Sequence, residues 1–124
     1  MAEIRRCLDT YALVEIYLGN KKFIDYLTID FVIAELTLIE FFGILLREYG
    51  EDEAHRWFRK LERYAIPVNK NIFLEAVKFR HEHKKQNISF FDAVGYIFSV
   101  THGYYFVTGD KEFEKFPNVE FRKK

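Results

Sequence analysis

The β-rich runs of this chain are short, and stretches with helical periodicity separate most of them. FVIA at residues 31–34 and YYFVT at 104–108 are apolar and rich in β-branched or aromatic residues, as strands buried on both faces are. IRRCLD near the amino terminus, Ala65 to Val68 and NVEF after Pro117 complete a set of five candidate strands. Parallel strands need crossover connections of about a dozen residues, usually helical. The rhythm therefore predicts a three-layer α/β/α fold with a central, mostly parallel five-stranded sheet. With 49% hydrophobic and 19% aromatic residues, the 124-residue chain builds one well-filled core, so residues 1–124 are read as a single domain.

The helices carry their own punctuation. Thr10 is placed to cap a helix through Ala12, Leu13, Ile16 and Tyr17, ended by Gly19-Asn20. Lys21 to Leu27 is a second short helix. Thr37-Leu-Ile-Glu40 matches a capping box and predicts a helix start, followed by apolar residues at helical spacing up to Gly50. Two further amphipathic segments, Asp52–Tyr64 and Asn71–Lys85, precede Ser89-Phe-Phe-Asp92, which opens an almost wholly apolar helix ended by Gly103.

This architecture directs attention to acids at strand and helix ends. Ligands of open parallel sheets bind beyond the carboxyl ends of the strands, where the next helices begin. Asp9 ends the first strand and Asp110 follows the fourth; Glu40 and Asp92 are each placed in the first turn of a helix. Like charges about 4 Å apart repel by roughly 4 kcal/mol at an intermediate dielectric, so four converging carboxylates call for a cation, and an all-oxygen donor set favours Mg²⁺ or Mn²⁺. Each acid also has a plainer role. Glu40 and Asp92 complete caps with Thr37 and Ser89, and Asp9 and Asp110 are ordinary turn residues.

Composition excludes other chemistries. The formal charge is zero with a pI near 6.9, so no global field attracts nucleic acid or an anionic membrane. Local basic patches would have to do so: Arg56 and Arg59 on one helix, and Lys78, Arg80, Lys84 and Lys85 on another, are the candidate RNA contacts, against a background of ordinary solvated helix faces. A single cysteine, Cys7, leaves no internal disulfide or multi-thiolate metal site and suits a reducing cytoplasm. His81 and His83 diverge on their helix and no HExxH is present, which argues against a zinc enzyme. Charges occupy the amino terminus, and Glu35 and Glu40 interrupt the most apolar segment, so neither a signal peptide nor a membrane span is expected.

Leu8-Asp9-Thr10, Leu36-Thr37-Leu38-Ile39-Glu40-Phe41, Phe91-Asp92-Ala93-Val94 and Val107-Thr108-Gly109-Asp110-Lys111-Glu112-Phe113 resemble, in order and spacing, the four acidic motifs of the PIN domain. The nearest group in that resemblance is the VapC-like toxins. It implies a metal-dependent endoribonuclease using Mg²⁺ or Mn²⁺, with Asp9, Glu40, Asp92 and Asp110 as metal-binding and catalytic acids. Thr10, Thr108 and Glu112 are the supporting residues, Glu112 as an acid that shares or replaces the role of Asp110. RNA as substrate, a small VapB-like antitoxin and a homodimer are the implied partners. Tyr11 departs from the Asn or Ser that many members carry two residues after the first acid. A housekeeping RNA-processing nuclease and a catalytically silent binding module are the alternative readings. A phosphatase or receiver domain is disfavoured, because each needs a second acid that this chain lacks near Asp9.

Overall fold

The computed structural model describes residues 4–124. Five strands, β1 (Arg6–Leu8), β2 (Phe31–Ala34), β3 (Ala65–Ile66), β4 (Tyr105–Thr108) and β5 (Val119–Phe121), pair in the order β3-β2-β1-β4-β5. Every pairing is parallel, with Leu8 opposite Val107 and Cys7 opposite both Val32 and Phe106. The helices are α1 (Thr10–Tyr17), α2 (Lys21–Ile24), α3 (Glu35–Tyr49), α4 (Glu51–Leu61), α5 (Lys70–Glu82) and α6 (Phe90–His102). A 3-10 turn follows α2 at Asp25–Thr28, another follows α4 at Glu62–Tyr64, and a third follows β4 at Lys111–Phe113.

Period-2 alternation along the strands builds the two outer layers. Leu8, Phe31, Ile33 and Val107 face one core with Leu13, Leu38, Phe41 and Leu45, under α1 to α4. Cys7, Val32, Ala34 and Phe106 face the other, with Ala76 and Phe79 of α5 and Val94 and Phe98 of α6. Gly95 permits the close seating of α6, since a Cβ there would stand 3.0 Å from Phe106 Cε1 and 3.3 Å from Thr37 Oγ1. Among the described residues, no helix is long and apolar enough to cross a membrane.

Several element ends differ from the expectation. Asp9, not Thr10, caps α1, its side chain accepting from the Ala12 N–H. Helix α3 begins at Glu35, directly after β2, so Thr37 is buried inside the helix rather than capping it and Glu40 lies in its second turn. The third strand shortens to Ala65–Ile66, paired only with Ile33 and Ala34 of β2. The second short helix divides into α2 and the 3-10 turn at Asp25–Thr28. Ser89 caps α6 through the Asp92 N–H, and Gly103 closes that helix in the left-handed conformation, both as expected.

Candidate acidic cleft

The parallel sheet brings the two central strand ends together. Asp9 follows β1 and its backbone N–H donates to the Val107 carbonyl of β4 at 3.1 Å. Asp9 is 2% exposed because its carboxylate turns inward to cap α1, accepting from the Ala12 N–H at 2.9 Å. Thr108 ends β4 fully buried, and its hydroxyl accepts the Asp110 N–H at 3.0 Å. Asp110 in turn caps the following 3-10 turn, accepting from the Glu112 N–H at 3.0 Å.

The helices bring the other acids to the same edge. Helix α6 precedes β4 and packs beside it, so it runs back along the sheet and starts at the carboxyl edge, where Asp92 is its third residue. Helix α3 leaves that edge after β2, and Glu40 on its second turn reaches Thr10, whose hydroxyl donates to Glu40 Oε1. Asp9, Thr10, Tyr11, Glu40, Asp92, Asp110 and Glu112 line one open cleft of about 570 Å³, together with Asn87, Gly109, Lys111 and Lys123. All four sequence-identified acids therefore share one surface.

The electrostatics of the cleft are those of crowded acids that outnumber its two lysines. Burial, then the charge of Asp92, then that of Asp110, push the Asp9 carboxyl well above the ordinary carboxylate range, against the opposing hydrogen bonds from Thr108 and Ala12. Burial, then Glu40 and Asp110, push Asp92 up to about 7. Burial raises Glu40 as well, opposed by the Thr10 hydroxyl. Among the described residues, no group of three or more acids, histidines or cysteines is gathered closely enough to hold a metal ion. The carboxylates repel one another, and nothing in the chain draws them into a closed cage. The donor set is nevertheless all oxygen, buried at Asp9 and half-buried at Glu40, Asp92 and Asp110, and no neighbouring cation shifts Asp9 or Asp92 downward, which fits a hard divalent ion.

The remaining expected residues are placed as follows. Glu112 accepts the Asn87 N–H at 3.2 Å and its carbonyl accepts from Gln86 at 3.0 Å, so it ties the loop before α6 to the loop after β4. None of the six basic residues considered for RNA lines this cleft. Arg56 is bidentate to Glu53 at 2.8 and 2.9 Å, Lys78 pairs with Glu75 at 3.3 Å, and Arg80 donates to the Ile88 carbonyl at 3.0 Å. Lys84 and Lys85 border a separate pocket with Glu82 and His83, and Arg59 lies on α4. The basic residues that do reach the cleft, Lys111 and Lys123, were not singled out by the sequence, although Lys111 directly follows Asp110. Tyr11 forms part of its wall.

Fold and cleft together define an α/β/α domain with an acidic cleft at the carboxyl edge of a parallel sheet. Residues 6–119 match the PIN domain family. The chain belongs to that family. By structure it is similar to the VapC20 toxin of Mycobacterium tuberculosis, described as cleaving the sarcin-ricin loop, with a TM-score of 0.79, 17% identity, and 94% of this chain and 98% of that one covered. It is also similar to a chain of a toxin-antitoxin complex from Klebsiella pneumoniae, at TM-score 0.76 and 18% identity, covering 96% and 99%. A third is in VapBC2 of Rickettsia felis bound to a promoter DNA fragment, at TM-score 0.74 and 16% identity, covering 98% and 99%. No curated protein matches the chain by sequence.

Proposed function

We propose that this protein is a metal-dependent endoribonuclease and the toxin of a toxin–antitoxin pair. The observation that carries the nuclease reading is the convergence of Asp9, Glu40, Asp92 and Asp110 on one cleft, where burial and mutual repulsion raise Asp9 and Asp92. Asp9, Asp92 and Asp110 would hold a divalent cation, Mg²⁺ or Mn²⁺. Bound there, the cation supplies Lewis-acid polarisation of a phosphodiester and a lowered pKa for water. Glu40, with its raised pKa and its hydrogen bond from Thr10, is suited to orient the attacking water and accept its proton. Thr108 keeps Asp9 and Asp110 in register by facing the first and accepting from the backbone of the second.

Cleavage of a panel of structured RNAs with Mg²⁺, Mn²⁺ or chelator tests this reading. Cleavage that requires metal and is lost in Asp92→Asn supports it, and products with 5′-phosphate and 3′-hydroxyl ends identify water as the nucleophile. Loss of cleavage on 2′-deoxy substitution at the scissile nucleotide points instead to attack by the 2′-hydroxyl and overturns the mechanism. Metal-insensitive inactivity, with no shift of melting temperature on adding Mn²⁺, removes the nuclease reading.

A protein partner is part of the proposal. Relatives of similar structure are solved as toxin–antitoxin complexes. Ile39, Leu46 and Tyr49 of α3 are 49, 45 and 49% exposed here, an apolar face suited to a second copy or an antitoxin helix. A monomer by light scattering that also fails to bind the product of a neighbouring small gene would remove both partners.

A further inference from the structure

The cleft carries its charge unevenly. Asp9, Glu40, Asp92, Asp110 and Glu112 are the acids that line it, and Lys111 and Lys123 the basic residues, both exposed. Neither lysine pairs with a carboxylate among the described residues, whereas Arg5, Arg6, Arg47, Arg56, Lys78 and Lys124 each do. Their ammonium groups are nevertheless neighbours, close enough for Lys111 to depress the pKa of Lys123. Glu114 offsets this only weakly at Lys123, and two like charges set side by side match an anion that both can hold.

The backbone explains how Lys123 reaches the cleft from beyond the last strand. The Arg122 N–H donates to the Thr108 carbonyl at 2.8 Å, extending the β4–β5 ladder past Phe121. The Lys124 N–H donates to the Tyr11 hydroxyl at 3.3 Å. The Arg122 carbonyl passes so close to Gly109 that a Cβ there would stand 2.7 Å from its oxygen. With the segment held on both sides, side chains alternate. Arg122 turns away, its guanidinium over the Tyr26 ring at 5.4 Å and donating to the Lys22 carbonyl at 3.0 Å, and Lys123 turns into the cleft.

We propose that Lys111 and Lys123 form a two-point clamp for the substrate phosphate next to the one undergoing attack, with Tyr11 and Gly109 holding the Arg122–Lys124 segment that delivers Lys123. The clamp rests on the nuclease reading of the cleft and deepens it. A polyanion approaching a group of carboxylates needs positive charge within the same cleft, and these two residues supply it. The substrate class that follows is a polynucleotide strand with consecutive phosphodiesters, bound through its backbone and without regard to base. A free mononucleotide offers the acids and the lysines only one group to share.

The test is salt-dependent binding of a short labelled single-stranded RNA, followed by fluorescence anisotropy in chelator, where no cleavage intervenes. Lys111→Gln and Lys123→Gln should each flatten the slope of log affinity against log salt by about 0.7, and the double variant by about 1.4. Lys123→Arg should keep the wild-type slope, and Lys115→Gln, in the same loop but off the cleft, should not alter it. With metal present, the lysine variants should raise KM and leave kcat within about twofold. A double variant with the wild-type slope and KM overturns the clamp, as does a wild type with no affinity for RNA. If the wild type cleaves RNA with metal while the slope ignores the lysines, the clamp falls and the nuclease reading stands. If it cleaves nothing while the slope depends on both lysines, the nuclease reading falls and the binding clamp remains.

Discussion

The ring of Tyr11 occupies the space that a side chain on residue 109 would need: a Cβ at Gly109 would stand 2.1 Å from Tyr11 Cε1 and 2.3 Å from Cζ. This contact joins the start of α1 to the loop after β4, one residue from Asp110. It also supports the chain's last residues, through the Lys124 N–H to the Tyr11 hydroxyl. Glycine is required at 109 by this close approach. The Tyr11 ring also packs toward Phe23, with centroids 5.9 Å apart.

Gly109→Ala should therefore destabilise the protein by about 1–3 kcal/mol through overpacking. Tyr11→Ala in the same chain should recover only part of the loss, because the Arg122 carbonyl, at 2.7 Å, is backbone and cannot rotate away. Urea denaturation of the wild type, both single variants and the double variant measures this as a coupling energy. Additive losses would show that the ring and position 109 do not interact.

Stability should depend on pH through Asp92. Burial and the charges of Glu40 and Asp110 push its folded pKa up to about 7, above the value near 4 expected in the unfolded chain. Between those values the folded state binds more protons than the unfolded one, so stability falls as pH rises. The contribution is fully present below about pH 4 and lost as pH passes about 7. In chelator, the stability advantage of Asp92→Asn over wild type should grow by roughly 2 kcal/mol from pH 5 to pH 8. Melting or urea curves at both pH values check this, and an advantage that stays constant would place the Asp92 pKa near its ordinary value.

Much of the layout above was legible in the sequence because local and global signals agreed. β2 runs from Phe31 to Ala34 as its β-branched content suggests, and α6 begins at Ser89 and ends at Gly103 as its cap residues require. The signal at Thr37-Leu-Ile-Glu40 misled because the strand passes straight into the helix. Thr37 then turns inward against the α6 backbone near Gly95, where its small side chain permits close packing. At Asp9 and Thr10 two capping residues stand in succession, and the geometry of the strand end, tied to Val107, decides between them. Lys123 was invisible for a different reason. Its position depends on hydrogen bonds from Arg122 to Thr108 and from Lys124 to Tyr11, the second joining residues 113 apart, and neither leaves a local pattern.

Cys7 should be inert in the native protein. It lies fully buried in the centre of β1, and burial, outweighing hydrogen bonds from Ser99 and Ala34, pushes its thiol up to about 11. The thiolate needed for alkylation is scarce at neutral pH and unreachable. Iodoacetamide or Ellman's reagent should label it only after denaturation, with a rate that follows global unfolding. Rapid labelling under native conditions would mean that the sheet opens between β1 and its neighbours β2 and β4.

Asp9 carries two burdens that substitution can separate. Its carboxylate caps α1 through the Ala12 N–H at 2.9 Å, and its charge sits buried beside Asp92. Asparagine keeps an acceptor oxygen for the cap and removes the charge; alanine removes both. In chelator at about pH 8, where ionisation of a buried acid is most costly, Asp9→Asn should be more stable than wild type. Asp9→Ala should be less stable than Asp9→Asn by at least about 1 kcal/mol, the usual worth of a lost N-cap, because the Ala12 N–H is left unpaired. Both variants should lose metal-dependent cleavage, so activity and stability move in opposite directions for Asn. Such opposition distinguishes a carboxylate kept for chemistry from one kept for structure. Denaturation curves of the three proteins, read beside the cleavage assay, decide the matter. If Asp9→Asn proves less stable than wild type, the buried charge is compensated within the chain, and the main physical argument for a cation in the cleft fails with it.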